Sequence, residues 1–322
     1  MSDIAVVTGA AGFIGSHLVD ALLDRGQRVV GVDNLRRGLR ANLACAFGHP
    51  NFAFAEVDCS EIGRFRTVLR AMLPGGRADV IWHMAANSDI RAGADDPNVD
   101  LRDTFLTTHE TLRLAREFGV CRFAFASTSA VYGERSETLT EDSGPLLPIS
   151  TYGAMKLASE AAISAAVAGA LDRAWIFRLP NVVGARSTHG VIYDLMQKLK
   201  TNRAELEVLG DGTQQKPYLH VSELVDAMLF IVDRADASLN VHNISSRGAG
   251  TTVRFIADEV VRVASPGARI RYTGGDRGWV GDVPRFTYAV DRIEGLGWVP
   301  TQNSDDAVRR AVREAAAEVL GV

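Results

Sequence analysis

Cysteine is scarce in this chain. Only Cys45, Cys59 and Cys121 carry a thiol; they lie far apart, are odd in number and form no C-x-x-C pair. That argues against a zinc ribbon or a disulfide framework, and a reducing, cytoplasmic setting is expected. The histidines, His83, His189 and His220 among them, do not cluster as metal ligands would, so no metal site is expected. Apolar runs of membrane-spanning length are missing too, and the first residues show no basic stretch followed by an apolar run. Neither a membrane segment nor a secretory leader is expected. Charge of one sign is also absent: the net charge is −4, mixed along the chain. The densest basic stretch, "NLRRGLR" (34–40), is short enough to be a solvated loop, so no nucleic-acid partner is expected.

What is present is a long chain with a large apolar share: 322 residues, 47 % hydrophobic. That supports a substantial core. Short runs rich in Val, Ile and Phe alternate with amphipathic stretches. "IAVVT" (4–8), "RVVGVD" (28–33), "FAFAEVD" (52–58), "DVIWHMA" (79–85), "RFAFAST" (122–128) and "WIFRLPNVV" (175–183) read as strands, with helical stretches between most of them. Continuous apolar strands suit a sheet covered on both faces. The alternation predicts an α/β fold, a doubly wound parallel Rossmann sheet with a smaller C-terminal α/β lobe. The expected boundaries are 1–184 for the first domain, with 221–247 returning to it, and 185–220 plus 248–322 for the lobe. After residue 184 the rhythm loosens. A helix is predicted over 220–235 with Ser222 as its N-cap, a strand over 240–245, a helix over 253–264, a strand at "RIRYT" and a last helix over 304–320.

The segment "VVTGAAGFIGSHL" (6–18) places Gly9, Gly12 and Gly15 between a predicted strand and a predicted helix. Glycine lets backbone approach a phosphate that a side chain would block, and a helix N-terminus attracts that phosphate. Asp33 ends the second strand, where a dinucleotide fold places the acid that binds a ribose. A carboxylate there accepts from both ribose hydroxyls and repels a 2′-phosphate, which favours NAD. Arg36 and Arg37 pull the other way, since an arginine can neutralise a 2′-phosphate. Asp58, ending the third strand, reads equally as a contact to the adenine edge or as a cap of the next helix.

Tyr152 and Lys156, in "STYGAMK", lie one turn apart on one helix face. A phenol is a poor base at neutral pH; a neighbouring ammonium and an oxidised nicotinamide both favour the phenolate. A tyrosine so tuned can take a proton from a sugar hydroxyl as hydride leaves the same carbon. Thr128, at the end of a predicted strand, is the hydroxyl best placed to bond the reacting oxygen; Ser127 and Ser129 read as turn caps.

These motifs together resemble the extended short-chain dehydrogenase/reductases, in their nucleotide-sugar epimerase and dehydratase branch. The matching stretches are T-G-A-A-G-F-I-G (8–15), D-N-L (33–35), H-M-A-A (83–86), S-T-S-A-V-Y-G (127–133) and Y-G-A-M-K (152–156), with "RLPNVVG", "GDGTQQKPYLHVSELVDA" and "LGW" following in order. The resemblance implies a bound NAD lined by Gly9, Gly12, Phe13, Ile14, Gly15, Asp33, Asn34, Asp58, Cys59, Met84, Ala85, Ala86, Tyr152 and Lys156. It implies a catalytic triad of Thr128, Tyr152 and Lys156. It also implies a nucleoside-diphosphate sugar, expected to be a UDP-sugar, near Ser88, Asn181, Val191, Lys216, Tyr218 and Arg277. Lys216 stands where the branch usually has a diphosphate-binding arginine, and Thr104 where it often has asparagine. Relatives pair helices near 101–118 and 154–168 into a homodimer.

Dehydratases and UDP-xylose-forming decarboxylases of the branch carry an acid just after the catalytic threonine. Ser129 and Ala130 stand there in this chain, which leaves epimerisation, expected at C4 of a UDP-hexose. The competing readings are a dehydratase with its acid elsewhere, a C2 epimerase, a 4-keto-sugar reductase, and a dinucleotide-binding sensor without catalysis.

Overall fold

A computed structural model describes residues 3–276, 278, 283 and 285–321. The chain forms two compact units: residues up to 131 with 146–178 and 228–242, and residues 132–145 with 179–227 and 243 onward.

The first unit is built on a seven-stranded sheet. Its strands are β1 (Ile4–Thr8), β2 (Arg28–Asp33), β3 (Phe52–Glu56), β4 (Val80–His83), β5 (Arg122–Thr128), β6 (Arg173–Leu179) and β11 (Leu239–Asn243). The spatial order is β11-β6-β5-β4-β1-β2-β3, and the β1–β2, β1–β4, β2–β3 and β4–β5 pairs are parallel. This is the doubly wound order, whose sequence reverses between β1 and β4. Helices α1 (Phe13–Asp24), α2 (Ala44–Phe47), α3 (Ile62–Met72), α4 (Ile90–Asp95), α5 (Pro97–Asp100), α6 (Thr107–Glu117) and α7 (Thr151–Val167) follow in the connections. A π-helical stretch, Leu101–Leu106, joins α5 to α6. The apolar strands are buried as their composition requires: Val6, Val30, Val32, Ile81, Phe123, Phe125 and Ile176 share one core with Phe65, Leu69 and Leu114. Each such side chain contributes roughly 1.5–3 kcal/mol when removed from water.

In the second unit the strands are β7 (Asn181–Val183), β8 (Glu205–Val208), β9 (Gln215–Lys216), β10 (Tyr218–His220), β12 (Thr251–Thr252) and β13 (Arg269–Tyr272). They pair as β7 with β10, β8 with β13 and β9 with β12. Its helices are α8 (Val191–Thr201), α10 (Val253–Ala264), α11 (Asp291–Gly295) and α12 (Ser304–Leu320). Helix α12 shows why this lobe holds together. Ala307, Val308, Ala311, Val312, Ala315 and Ala316 recur at helical spacing and pack against Leu195, Leu206, Ile256 and Val260. Its start is fixed by Asn303, which accepts from the Asp306 N–H, and its end by Gly321 in the left-handed conformation.

Two sequence expectations need correction. The stretch 175–183 is not one strand: β6 ends at Leu179 and β7 starts at Asn181, because Pro180 has no N–H to give a ladder. Ser222 does not cap a helix over 220–235. Helix α9 (Val221–Arg234) already includes it, and its hydroxyl bonds His220 Nδ1 at 2.8 Å instead. Among the described residues no helix is long and apolar enough to cross a membrane.

Candidate active site

The glycine turn leaves the C-terminal end of β1 at the point where the strand order reverses. Gly9 has φ +68°, and a Cβ there would lie 2.7 Å from the Ala85 nitrogen. A Cβ on Gly15 would lie 2.0 Å from the Gly9 carbonyl oxygen. No larger residue fits either position without moving backbone. Gly12 is the N-cap of α1 and supplies no side-chain cap, so the first-turn N–H groups of Phe13 and Ile14 face outward for an anion. Met84, Ala85 and Ala86 leave β4 beside this turn as a half-buried loop, with Met84 N–H donating to the Thr8 carbonyl at 3.1 Å.

That loop is anchored by a buried imidazole. Thr108 donates its hydroxyl proton to the Thr104 carbonyl (2.9 Å), so its oxygen accepts from His83 Nε2–H (3.0 Å). His83 Nδ1 then accepts from the Thr8 hydroxyl (2.7 Å), whose oxygen accepts from Ala85 N–H at 3.4 Å. The network assigns the tautomer. Burial, assisted by the charge of Lys156, pulls the His83 pKa down to about 3, so the ring stays neutral.

Asp33 ends β2 almost fully buried. Its Oδ2 accepts from Ala11 N–H (2.9 Å) and its Oδ1 from Leu35 N–H (2.8 Å). Burial raises its pKa, and the surrounding backbone N–H groups work against that rise. Each oxygen keeps a lone pair for a ribose hydroxyl. Arg36 faces Asp58 (3.1 Å) and Asp103 (2.8 Å), and Arg37 faces Asp89 (3.1 Å). Both arginines are thus already paired with carboxylates, which disfavours their use on a 2′-phosphate. Asp58 closes a turn, accepting from the Ser60 N–H (2.9 Å) and hydroxyl (2.7 Å), and also accepts from Asn34 Nδ2 at 3.1 Å. Cys59 is buried in the apolar core, and burial first, then Asp58 and Asp33, push its thiol well up. The turn, the uncapped helix start and Asp33 fit a dinucleotide.

Beyond the sheet end lie Tyr152, Thr128 and Lys156, groups able to move or stabilise a proton. Helix α7 starts at a Ser150 cap that accepts from Gly153 N–H (3.1 Å), which puts Tyr152 in the first turn and Lys156 one turn later. Tyr152 is half-buried as a residue, with its phenol end enclosed. Burial pushes its pKa up to about 12; a hydrogen bond with Thr128 pulls it down, and the Asp100 carboxylate raises it further. Thr128 Oγ1 accepts from Ala130 N–H at 3.2 Å, so its own proton is free to point at the phenolic oxygen. Lys156 is 2 % exposed and donates from Nζ to the Ala126 carbonyl at 2.5 Å. Its nitrogen lies 4.6 Å from the Phe125 ring centre and 5.9 Å from that of Tyr152. Burial pulls its pKa down to about 7, opposed by Glu160 and Asp100.

The second unit groups part of the expected sugar-nucleotide set. Asn181 and Tyr218 are register partners in the β7–β10 pair, and Lys216 sits two residues before Tyr218 in β9. The Asn181 Nδ2 atom is buried and has no partner. Tyr218 is itself a core residue, and Val191, at the start of α8, packs against the same core. Ser88 lies in the first unit, in the loop after β4. Arg277 lies outside the described residues.

A model of the NAD-dependent epimerase/dehydratase family matches residues 5–245. The chain belongs to that family. It is 31 % identical over 331 aligned positions to the UDP-glucose 4-epimerase of Azospirillum brasilense, covering 96 % of this chain and 91 % of that one. Among solved structures it resembles a UDP-galactose 4-epimerase (TM-score 0.85, 35 % identity, 98 % of this chain and 99 % of the other). It equally resembles the dTDP-glucose 4,6-dehydratase of Streptomyces venezuelae, solved with NAD bound (TM-score 0.85, 28 % identity, 99 % and 98 % covered). NAD is the cofactor of this family member.

For this epimerase/dehydratase the structure also reveals residues that the motifs do not. Glu160 is buried on the face of α7 that carries Tyr152 and Lys156. It accepts from the Ser127 hydroxyl and holds Arg178 through two bonds, 3.1 Å from Nε and 2.7 Å from the terminal nitrogen. The spacing 152, 156, 160 is itself a signal for it. Thr104 accepts from Asn87 N–H at 3.2 Å. Asp100, next to Asn87, has no sequence signal at all.

Proposed function

We propose that the chain inverts C4 of a UDP-hexose through a transient 4-keto sugar, with Thr128, Tyr152 and Lys156 as catalytic residues. The observation that carries this reading is one constellation: Tyr152, whose pKa the Thr128 hydroxyl lowers, the Lys156 ammonium 5.9 Å from the Tyr152 ring centre, and Ala130, which cannot move a proton, where dehydratases of the branch carry an acid. NAD, when bound, supplies the acceptor for the C4 hydride and returns it. Everything else falls to the chain's own groups. The Tyr152 phenolate takes the 4-hydroxyl proton and later gives it back. Thr128, its oxygen already held by Ala130 N–H, directs its proton to the reacting oxygens. Lys156 lends the positive charge that favours phenolate. The buried Asn181 amide and Lys216 are assigned to the diphosphate. The first unit is assigned to NAD and the second to the sugar nucleotide. A homodimer through α6 and α7 and a cytoplasmic setting belong to the same reading; Leu101, 50 % exposed beside α6, and three unpaired cysteines are in keeping with them.

The purified protein, given UDP-glucose or UDP-galactose and no added cofactor, should interconvert two sugar nucleotides of equal mass, followed by mass spectrometry and proton NMR. A product lighter by one water would replace this reading with dehydration.

Denaturing the purified protein should release NAD rather than NADP. Asp33→Ala should weaken NAD retention by about 10- to 100-fold, the scale of losing hydrogen bonds to a charged group. Unchanged retention would place the ribose contact elsewhere.

A further inference from the structure

We propose that Glu160, held by Arg178, is a positioning residue that sets the register of α7 on the sheet and so places Tyr152 and Lys156 against Thr128. The proposal rests on the reading of Thr128, Tyr152 and Lys156 as the catalytic set.

Apolar packing does little to fix the place of α7. Its buried residues are Gly153, Lys156, Ser159, Glu160 and Ile163, and of these only Ile163 is large and apolar. A face of small and polar residues can slide or turn on a sheet at low cost in packing, so polar bonds have to specify where it stops. Those bonds form a ladder between α7 and the end of β5. Residues 152, 156 and 160 share one helix face at one-turn intervals. Lys156 Nζ donates to the Ala126 carbonyl at 2.5 Å, Glu160 accepts from the Ser127 hydroxyl, and Thr128 is the residue whose hydroxyl lowers the Tyr152 pKa. Three consecutive strand residues, 126–128, thus meet three successive turns of the helix.

Glu160 is the rung that a second strand also holds. Strand β6 lies beside β5, and its Arg178 grips both carboxylate oxygens, Nε to Oε1 at 3.1 Å and the terminal nitrogen to Oε2 at 2.7 Å. Two such bonds from one planar guanidinium fix the direction of the carboxylate as well as its distance. Glu160, Arg178 and Ser127 are all buried. A buried ion pair adds little net stability over apolar residues of similar volume, and its best-attested use is to specify one register among several. Glu160 stands two turns from Tyr152, about 12 Å along the helix axis. It therefore acts on the proton-transfer groups through the helix that carries them.

The test separates register from stability. Glu160→Met alone buries the Arg178 guanidinium without its partner and should lower Tm by about 5–10 °C. Glu160→Met combined with Arg178→Met removes both charges together, leaves the net charge near Lys156 unchanged, and should recover most of that Tm. Activity should not recover with it. On the active sugar nucleotide kcat should stay about 100-fold below wild type, the scale of a misplacement of about 1 Å, with KM little changed. A crystal structure of the NAD-loaded double variant should show α7 displaced on β5 and the Lys156–Ala126 bond lengthened. Recovery of kcat together with Tm, or an α7 that keeps its place, overturns the proposal. If the double variant does not fold, Glu160→Asp decides, because it keeps the charge and shortens the arm by one methylene. Its kcat should fall about 10-fold as α7 follows the shorter arm, and a wild-type kcat overturns the proposal. The crystal structure needs no sugar nucleotide, so a displaced α7 in a protein whose wild type does not invert C4 keeps this inference and loses the substrate reading.

Discussion

Tyr152→Phe should lower turnover by about 100- to 10,000-fold on the active sugar nucleotide, the range typical of a general acid–base group. The substitution keeps the ring and its packing and removes only the hydroxyl. Fold and bound NAD should therefore survive, read as unchanged circular dichroism and an unchanged nucleotide released on denaturation. The enclosed phenol, pushed up to about 12 in the chain alone, explains why the loss should be large. A group so far from its working range becomes a base only where Lys156 and bound NAD favour the phenolate, and among the described residues no other phenol or carboxylate is bonded to Thr128 to take its place. Near-full activity with NAD bound would reduce Tyr152 to a packing residue and remove the catalytic assignment.

Lys156→Met should cost about 100- to 1,000-fold at neutral pH, because the phenolate loses its nearest positive charge, and the pH optimum should rise. Stability should go the other way. In the folded protein burial holds the lysine pKa near 7, against an ordinary 10.5. Below pH 7 the ammonium is present in both folded and unfolded chains, and burying it opposes folding in full. Between about 7 and 10.5 the unfolded chain holds a proton that the folded one has released, so wild-type stability rises with pH across that window. The variant has no such dependence. Its Tm should match or exceed that of the wild type at pH 7, and the gap should shrink, or reverse in favour of the wild type, as the pH approaches 10. A Tm gap that widens with pH would mean that Lys156 is not buried as a charge.

Much of this was legible in the sequence because the signals are local. Val and Ile runs specify strands, and a glycine turn between strand and helix specifies a close backbone approach. Two residues four apart on a helix necessarily share a face. Asp33 was readable from its place at a strand end. Pro180 carried a readable warning as well, since it divides the apolar stretch 175–183 into β6 and β7. Other features depend on pieces of chain that meet only in the fold. Arg178 reaches Glu160 across a strand–helix contact, and Ser127 reaches it from the neighbouring strand. No spacing rule connects them. The fit of Asp100 against Gly93, where a Cβ would lie 1.8 Å from the carboxylate, is of the same kind: a missing methyl group matters only once the carboxylate it admits is known.

The imidazole between the Ala85 loop and Thr108 has a consequence for every titration of this protein. Histidine is usually the side chain that makes a protein respond near neutrality. Here it is mute. From Ala85 through Thr8, His83 and Thr108 to Thr104, every hydrogen points one way, and reversing any link would set two donors or two acceptors face to face. With its proton affinity so far below neutrality, His83 acts as a fixed spacer of set polarity between the two segments. It therefore contributes no inflection across the working range, and a pH profile measured there takes no curvature from it.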